Sequence, residues 1–220
     1  MSGDGRRGPR RFGRIDPDGS RLRWPGARAR FGLFGEVLWT GVLVALICIP
    51  IVTWPAAVAA GGAHLRRYVR AEASSARLFV RDVRSALPGG AVIGAGTLVG
   101  GALLAFDVLL ASGGRIPGGG VVAWAGLGVG ALSLGWIVLA AGLWRPGLRW
   151  RTLLAAVPRA ISWDPLGALS SVVAVVLVAV LTWQLLPLAI PGLGLLAFAG
   201  MAIAERRAQR IEREQAASAD

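Results

Sequence analysis

The sequence predicts an all-α fold, a polytopic transmembrane helical bundle of about five to six helical segments with a proline-broken first and last hairpin. Three observations lead to this fold class. The 220 residues are 55% hydrophobic and only 16% charged, whereas a soluble domain carries about 25% charged residues. Apolar runs of roughly 20 residues recur, which is the length that crosses a bilayer. Arginines flank those runs, so the net charge of +12 indicates membrane topology and not nucleic-acid binding.

Residues 1–30 are predicted to form a disordered basic tail in the cytoplasm. They contain nine arginines and three aspartates among glycine and proline, with almost nothing to bury. Two interpretations of these arginines stay open. Either they contact anionic lipids, each contributing about 1 kcal/mol near the membrane surface, or they only retain the tail in the cytoplasm.

The first hairpin is predicted from two prolines that interrupt an apolar run. A helix over 34–49 has Glu36 in its first turn, where the helix dipole favours a carboxylate. Pro50 and Pro55 each remove a helical hydrogen bond. Thr53 either satisfies a freed carbonyl or caps a second helix over 54–69. Because broken backbone at membrane depth must be covered by protein or water, Pro50, Thr53 and Pro55 are candidate functional residues.

An amphipathic surface helix is predicted over 64–87. At 100° per residue, five arginines fall within about 60° of one another. These are Arg66, Arg70, Arg77, Arg81 and Arg84. A basic amphipathic helix lies along the membrane surface with its apolar face in the headgroup region, and docking on a soluble partner is the alternative. We therefore expect these arginines to contact anionic lipid or a partner, with Pro88-Gly89-Gly90 ending the helix.

Two spans are predicted next, over 91–111 and 121–144. The glycines of 94–100 imitate a dinucleotide-binding motif, but the strand and turn that this chemistry requires are missing. Gly96 and Gly100, like Gly126 and Gly130, have the spacing of small residues at close helix contacts.

Asp107 is the candidate functional residue inside these spans. A carboxylate at the bilayer centre costs at least about 2.5 kcal/mol on insertion scales. We expect Asp107 to face other helices, while the alternative is that it reaches the outer headgroups or pairs with Arg115.

The last part of the domain is predicted to be a second broken hairpin. Residues 145–163 form a basic connection interrupted by Pro146 and Pro158, and Asp164-Pro165 is typical of a helix N-cap followed by a first-turn proline. The closing apolar stretch has about twice the length of one span. Its prolines divide it into helices over 166–186 and 188–204. A transmembrane domain over 31–207 is then followed by a charged tail over 208–220.

The positive-inside rule predicts the topology in the cell membrane. It assigns both termini, residues 66–84 and residues 145–163 to the cytoplasm. Residues 50–55 must then be a turn and 54–69 a return helix, although about 20 Å of apolar helix is short for a 30 Å core. The segment crosses the membrane, is re-entrant or lies at the surface. The rival topology has five spans and the tail outside.

The residue types argue against an enzyme. Cys48 and His64 are the single cysteine and the single histidine, which leaves no internal disulfide and no Cys-based or multi-His metal site. General acid–base and nucleophilic catalysis need converging polar groups, and the polar residues inside the spans are scattered. We predict no catalytic, cofactor-binding or metal-binding residues and no nucleic-acid partner.

The layout resembles the YesL-like family of bacterial integral membrane proteins, a family of unknown function. The resemblance covers most of 31–207 and is strongest over 43–69, with support from 79–87 and 186–195. Its motifs are Pro50-Ile51-Val52-Thr53 and Leu65-Arg66-Arg67-Tyr68-Val69. The resemblance implies an association with carbohydrate uptake systems and brings no catalytic residues.

Two functions are therefore expected. The first is a non-catalytic accessory or regulatory membrane component that associates with a sugar ABC transporter permease or with itself, in a bilayer containing anionic lipids. The alternative is a small-solute transporter or channel subunit, which requires ionisable residues facing the bundle interior.

Overall fold

The computed structural model describes residues 25–72, 74–112 and 118–217, and within these ranges the chain is helical with no strand. The predicted all-α class is confirmed. Seven α-helices are seen there: α1 (Pro25–Ile47), α2 (Trp54–Val69), α3 (Ala76–Ser112), α4 (Gly119–Leu143), α5 (Trp150–Trp163), α6 (Pro165–Gln184) and α7 (Ala189–Ala217). Short 3-10 turns at Ile51–Thr53 and Leu186–Leu188 precede α2 and α7.

The chain divides into two units, Met1–Phe34 and Gly35–Asp220. Of the first unit, the structure describes residues 25–34, which are the opening turns of α1. The packing described below lies within the second unit.

Four of the described helices are long and apolar enough to cross a membrane: α3, α4, α6 and α7 with its preceding turn. Many of their large apolar side chains are exposed on the protein surface, which would be unfavourable in water. Trp183 of α6 is 90% exposed and Leu109 of α3 is 72% exposed. Because exposed apolar surface on this scale needs lipid around it, the chain is a multi-pass membrane protein.

Helix α2 lies at the centre of the second unit. Its residues from Pro55 to Arg66 are all buried, and it packs against α3, α4 and α7. Small side chains allow this close approach. A Cβ on Gly61, for example, would lie 2.8 Å from Val44 Cγ2 of α1 and 3.1 Å from the Ala197 Cβ of α7.

The break before α2 is built by Thr53. Its hydroxyl oxygen lies within hydrogen-bond distance of the carbonyl oxygens of Ile47 and, at 2.7 Å, of Pro50, which share its one hydrogen. It stands at the N-cap position of α2 but makes no side-chain capping bond. Of the two predicted roles, Thr53 therefore satisfies carbonyls that the broken helix leaves free. The Trp54 indole nitrogen then donates to Thr97 Oγ1 at 3.0 Å, which fixes the start of α2 against α3.

The amphipathic helix predicted over 64–87 is not one helix, and this prediction is wrong. Helix α2 ends at Val69, the chain reverses with Ala71 at a φ of 55°, and α3 starts at Ala76. Helix α3 then runs through Pro88, which does not end it. Trp150 of α5 packs against this part of α3: its indole nitrogen donates to the Ala86 carbonyl at 2.8 Å, and a Cβ on Gly89 would overlap its ring.

The other boundaries follow local chemistry more closely. Helix α2 has the predicted bounds of 54–69, whereas α1 starts at Pro25. The Asp164 carboxylate accepts from the Gly167 amide at 3.0 Å, so the predicted N-cap of α6 is confirmed. The basic connection contains a helix, α5, with Pro158 inside it. Helix α7 runs past 204 to Ala217, since no residue there breaks it.

Of the two predicted glycine pairs, the pair on α4 lies at a helix contact and the pair on α3 does not. Gly96 and Gly100 have nothing within 4 Å of an added Cβ, so they do not mediate a helix contact in this chain. Gly126 and Gly130 of α4 do face α3, since added Cβ atoms there would lie 3.3 Å from Val108 Cγ2 and 3.7 Å from Leu104 Cδ1. A closer approach occurs between α4 and α7, where a Cβ on Gly142 would overlap the backbone of Gly200. This pair brings the two helices together near the C-terminal end of α4.

We expect Gly142→Val to destabilise the protein. The added side chain must push α7 away from α4, and overpacking typically costs about 1–3 kcal/mol. The measurement is the thermal unfolding temperature in one detergent, with Gly96→Val as the matched control because its Cβ enters open space. Equal losses in the two variants would contradict the packing described here.

Candidate functional site

Arg66 is a buried charge at the C-terminal end of α2, only 6% exposed. One guanidinium nitrogen donates to the Gly142 carbonyl at 2.7 Å, and another donates to the Trp144 carbonyl at 3.4 Å. These carbonyls lie at the C-terminal end of α4, where no backbone donors remain and a cation is favoured by the helix dipole. Arg66 therefore caps the C-terminal end of α4.

Glu205 of α7 neutralises part of this charge. Its carboxylate lies 2.8 Å from Arg66 Nε, 3.0 Å from Arg70 Nη2 and 3.7 Å from Arg145 Nη2. We call these four residues the Glu205 cluster. The hydrogen bond to Glu205 and its negative charge raise the pKa of Arg70 above the usual arginine value. One carboxylate thus links α2, α7 and the connection that follows α4.

A second ion pair joins α2 to α3. The Arg67 guanidinium contacts the carboxylate of Asp82, which is only 1% exposed. This pair holds the first turns of α3 alongside the end of α2 and accounts for the reversal between the two helices.

A third polar contact lies between α1 and α2. His64 Nε2 is 2.8 Å from Glu36 Oε1, and the imidazole meets the edge of the Phe79 ring at a centroid distance of 6.1 Å. In the described part of the chain, His64 Nδ1 and Thr40 Oγ1 are buried without a hydrogen-bond partner. The prediction that Glu36 lies in the first turn of its helix is wrong, because α1 starts at Pro25. The Glu36 carboxylate instead pairs with His64.

The five predicted contact arginines separate into two groups. Arg66 is buried, and Arg70 is hydrogen-bonded to Glu205. The prediction that Arg66 contacts lipid or a partner is therefore wrong, since α2 ends inside the bundle. Arg77, Arg81 and Arg84 remain exposed on the first turns of α3.

Asp107 does not face other helices, and this expectation is also wrong. The residue is exposed on α3. The turn before α2 packs against α3 at Gly94, through the Val52 backbone, and the first residue of α2 reaches Thr97. The second half of α3 packs against α4 through Leu104 and Val108, and Asp107 lies on its uncovered side. The alternative, that Asp107 reaches the outer headgroups, stays open; Arg115 lies outside the described residues.

The proline-break candidates have a structural role. Pro50 is exposed in the turn and Pro55 is buried in the first turn of α2, while Thr53 bonds backbone carbonyls between them. Across residues 25–72, 74–112 and 118–217, no group of three His, Cys, Asp or Glu side chains could hold a metal ion.

Sequence reasoning missed Glu205, Asp82 and the Glu36–His64 pair. A signal was present, because acidic residues are scarce in this chain, with 12 Asp and Glu against 24 basic residues. Each carboxylate near an apolar segment was a candidate partner for a basic group entering the bundle.

Comparison with known proteins gave no relative: no family model, no curated protein and no solved structure matches the chain.

We expect Glu205→Gln to destabilise the protein, because it leaves Arg66 buried beside Arg70 and Arg145 without a counter-charge. Removing one partner of a buried ion pair costs on the order of 3 kcal/mol. The control is Glu214→Gln, which neutralises an exposed carboxylate on the same helix. Unfolding temperatures of both variants are compared in the same detergent. If Glu205→Gln is as stable as Glu214→Gln, the cluster does not hold the helices together.

Proposed function

We propose that this protein is a non-catalytic accessory or regulatory component of the cell membrane, and that it binds a permease of a carbohydrate uptake system. One observation carries the proposal: an exposed face on the second half of α3 whose residue types suit a helix contact. The resemblance to the YesL-like family, which we propose the chain belongs to, supports the class of partner.

The α3 outer face consists of Gly96, Gly100, Leu103 and Asp107. At 100° per residue these four positions fall within about 60° of one another. Added Cβ atoms at Gly96 and Gly100 meet nothing within 4 Å, and Leu103 and Asp107 are exposed. In lipid, small residues let another helix approach closely. A carboxylate in the membrane is stabilised when a polar group on that helix pairs with it. These properties support a second membrane protein as the occupant.

The proposal includes an orientation. Both termini, the α2–α3 reversal and the α4–α5 connection are assigned to the cytoplasm, because these regions contain most of the arginines. Helix α1 then leads outward and α2 leads back. In this orientation, the α3 outer face lies in the half of the membrane that is farther from the cytoplasm.

A small-solute transporter or channel subunit is the second candidate. The part-buried Glu36–His64 contact supports it, because ionisable pairs inside a membrane bundle are common in ion and proton pathways. The same contact also stabilises the packing of α1 on α2, so the accessory function has the stronger support.

We expect a sugar permease to co-purify with the parent protein in mild detergent, and to be lost from the Gly96→Leu/Gly100→Leu variant. The two leucines fill the space that a partner helix would occupy, so recovery of the permease, measured by quantitative mass spectrometry, should fall at least tenfold.

The matched control is Gly101→Leu/Gly128→Leu. It adds the same bulk at two other glycines with nothing within 4 Å, and Gly101 lies about 140° around α3 from Gly96. The control should retain the permease. A parent without any permease, or equal recovery from both double variants, would exclude this function.

A further inference from the structure

Three exposed arginines line an open groove on the first turns of α3. This space of about 450 Å³ is open to the surface and, among the described residues, is bordered by Ala76, Arg77, Val80, Arg81 and Arg84. We call it the arginine groove. At 100° per residue its three arginines lie within about 60° of one another, so they project from the same side of the helix. Val80, which is 39% exposed, supplies an apolar surface beside them.

Unlike their neighbours, these three arginines have no counter-charge among the residues that the structure describes. Arg67 is paired with Asp82, and Arg70 is paired with Glu205. The Asp82 carboxylate belongs to the same helix as the groove but is buried against α2. In the parts of the chain that the structure describes, Arg77, Arg81 and Arg84 form no ion pair. Three like charges on adjacent turns repel one another, so an anion between them would be favoured.

The groove lies where α3 enters its apolar part. The helix continues from Arg84 through Pro88 into the candidate span without interruption. An anion bound in the groove therefore has apolar surface next to it. A soluble phosphate would use the guanidinium groups but not this surface, whereas a lipid would use both.

We infer that the arginine groove binds the phosphate-bearing headgroup of an anionic phospholipid. Guanidinium groups bind phosphate oxygens through paired, charge-assisted hydrogen bonds. The glycerol and the upper acyl chain would lie against Val80 and the apolar residues that follow. This inference does not depend on the proposed permease partner, because the α3 outer face and the groove lie at opposite ends of α3.

The test is lipid binding to the full-length purified protein in a neutral detergent. Short-chain phosphatidylglycerol and phosphatidylcholine are titrated separately, and bound lipid is counted by native mass spectrometry. The parent should bind phosphatidylglycerol at least tenfold more tightly than phosphatidylcholine. Arg77→Gln/Arg81→Gln/Arg84→Gln should weaken phosphatidylglycerol binding at least tenfold, since each basic residue near the surface contributes about fivefold.

The matched control removes the same charge from another exposed part of the basic side. Arg149→Gln/Arg151→Gln/Arg159→Gln changes three exposed arginines in and next to α5, and its affinity should change less than threefold. Equal losses in both triple variants would show that net charge alone attracts the lipid and would overturn the inference. A parent without preference for phosphatidylglycerol would overturn it as well.

Two further arms complete the test. Inorganic phosphate should not displace phosphatidylglycerol at equal concentration, and displacement would assign the groove to a soluble anion. If the Gln triple variant does not fold, the single variants Arg77→Gln, Arg81→Gln and Arg84→Gln decide. Each should weaken binding about fivefold, and three unchanged affinities would overturn the inference.

Discussion

The burial of α2 among larger helices is the constraint on which the rest of this structure depends. With 16 residues, the helix is about 24 Å long, too short to match a 30 Å hydrocarbon core. A helix surrounded by protein does not need to match that core, because other side chains replace lipid around it. Its alanines and glycines make this burial possible, since they let α1, α3, α4 and α7 approach closely.

Placing α2 at the centre determines where the charges lie. Its last turn carries Arg66 and Arg67 into the bundle, where an unpaired guanidinium would be strongly destabilising. Glu205, Asp82 and the carbonyls at the end of α4 are their partners. These partners come from three other helices, so the basic end of α2 fixes their relative positions. The arginines of the first turns of α3 are left outside this network.

Local chemistry explains which parts of the fold could be predicted. Proline and Asp164 influence only the backbone within a few residues of themselves. The bounds of α2 and the N-cap of α6 can therefore be predicted from the sequence. Pairs distant in the chain leave no such pattern. Glu36 and His64 are 28 residues apart, and no helical period connects them. The helix predicted over 64–87 failed for the same reason, because the reversal before α3 is held by the Arg67–Asp82 pair.

The central claim is that α2 returns the chain to the side from which α1 started. Single cysteines in a Cys48→Ala background test it most directly, at Ser2, Ser75, Ser112 and Ser218. Intact cells are treated with a membrane-impermeant thiol reagent, and labelling after lysis serves as the positive control for each position. The account predicts that only Ser112→Cys is labelled in intact cells. Labelling of Ser2→Cys or of Ser75→Cys in intact cells would place the two ends of the α1–α2 hairpin on opposite sides and would contradict it.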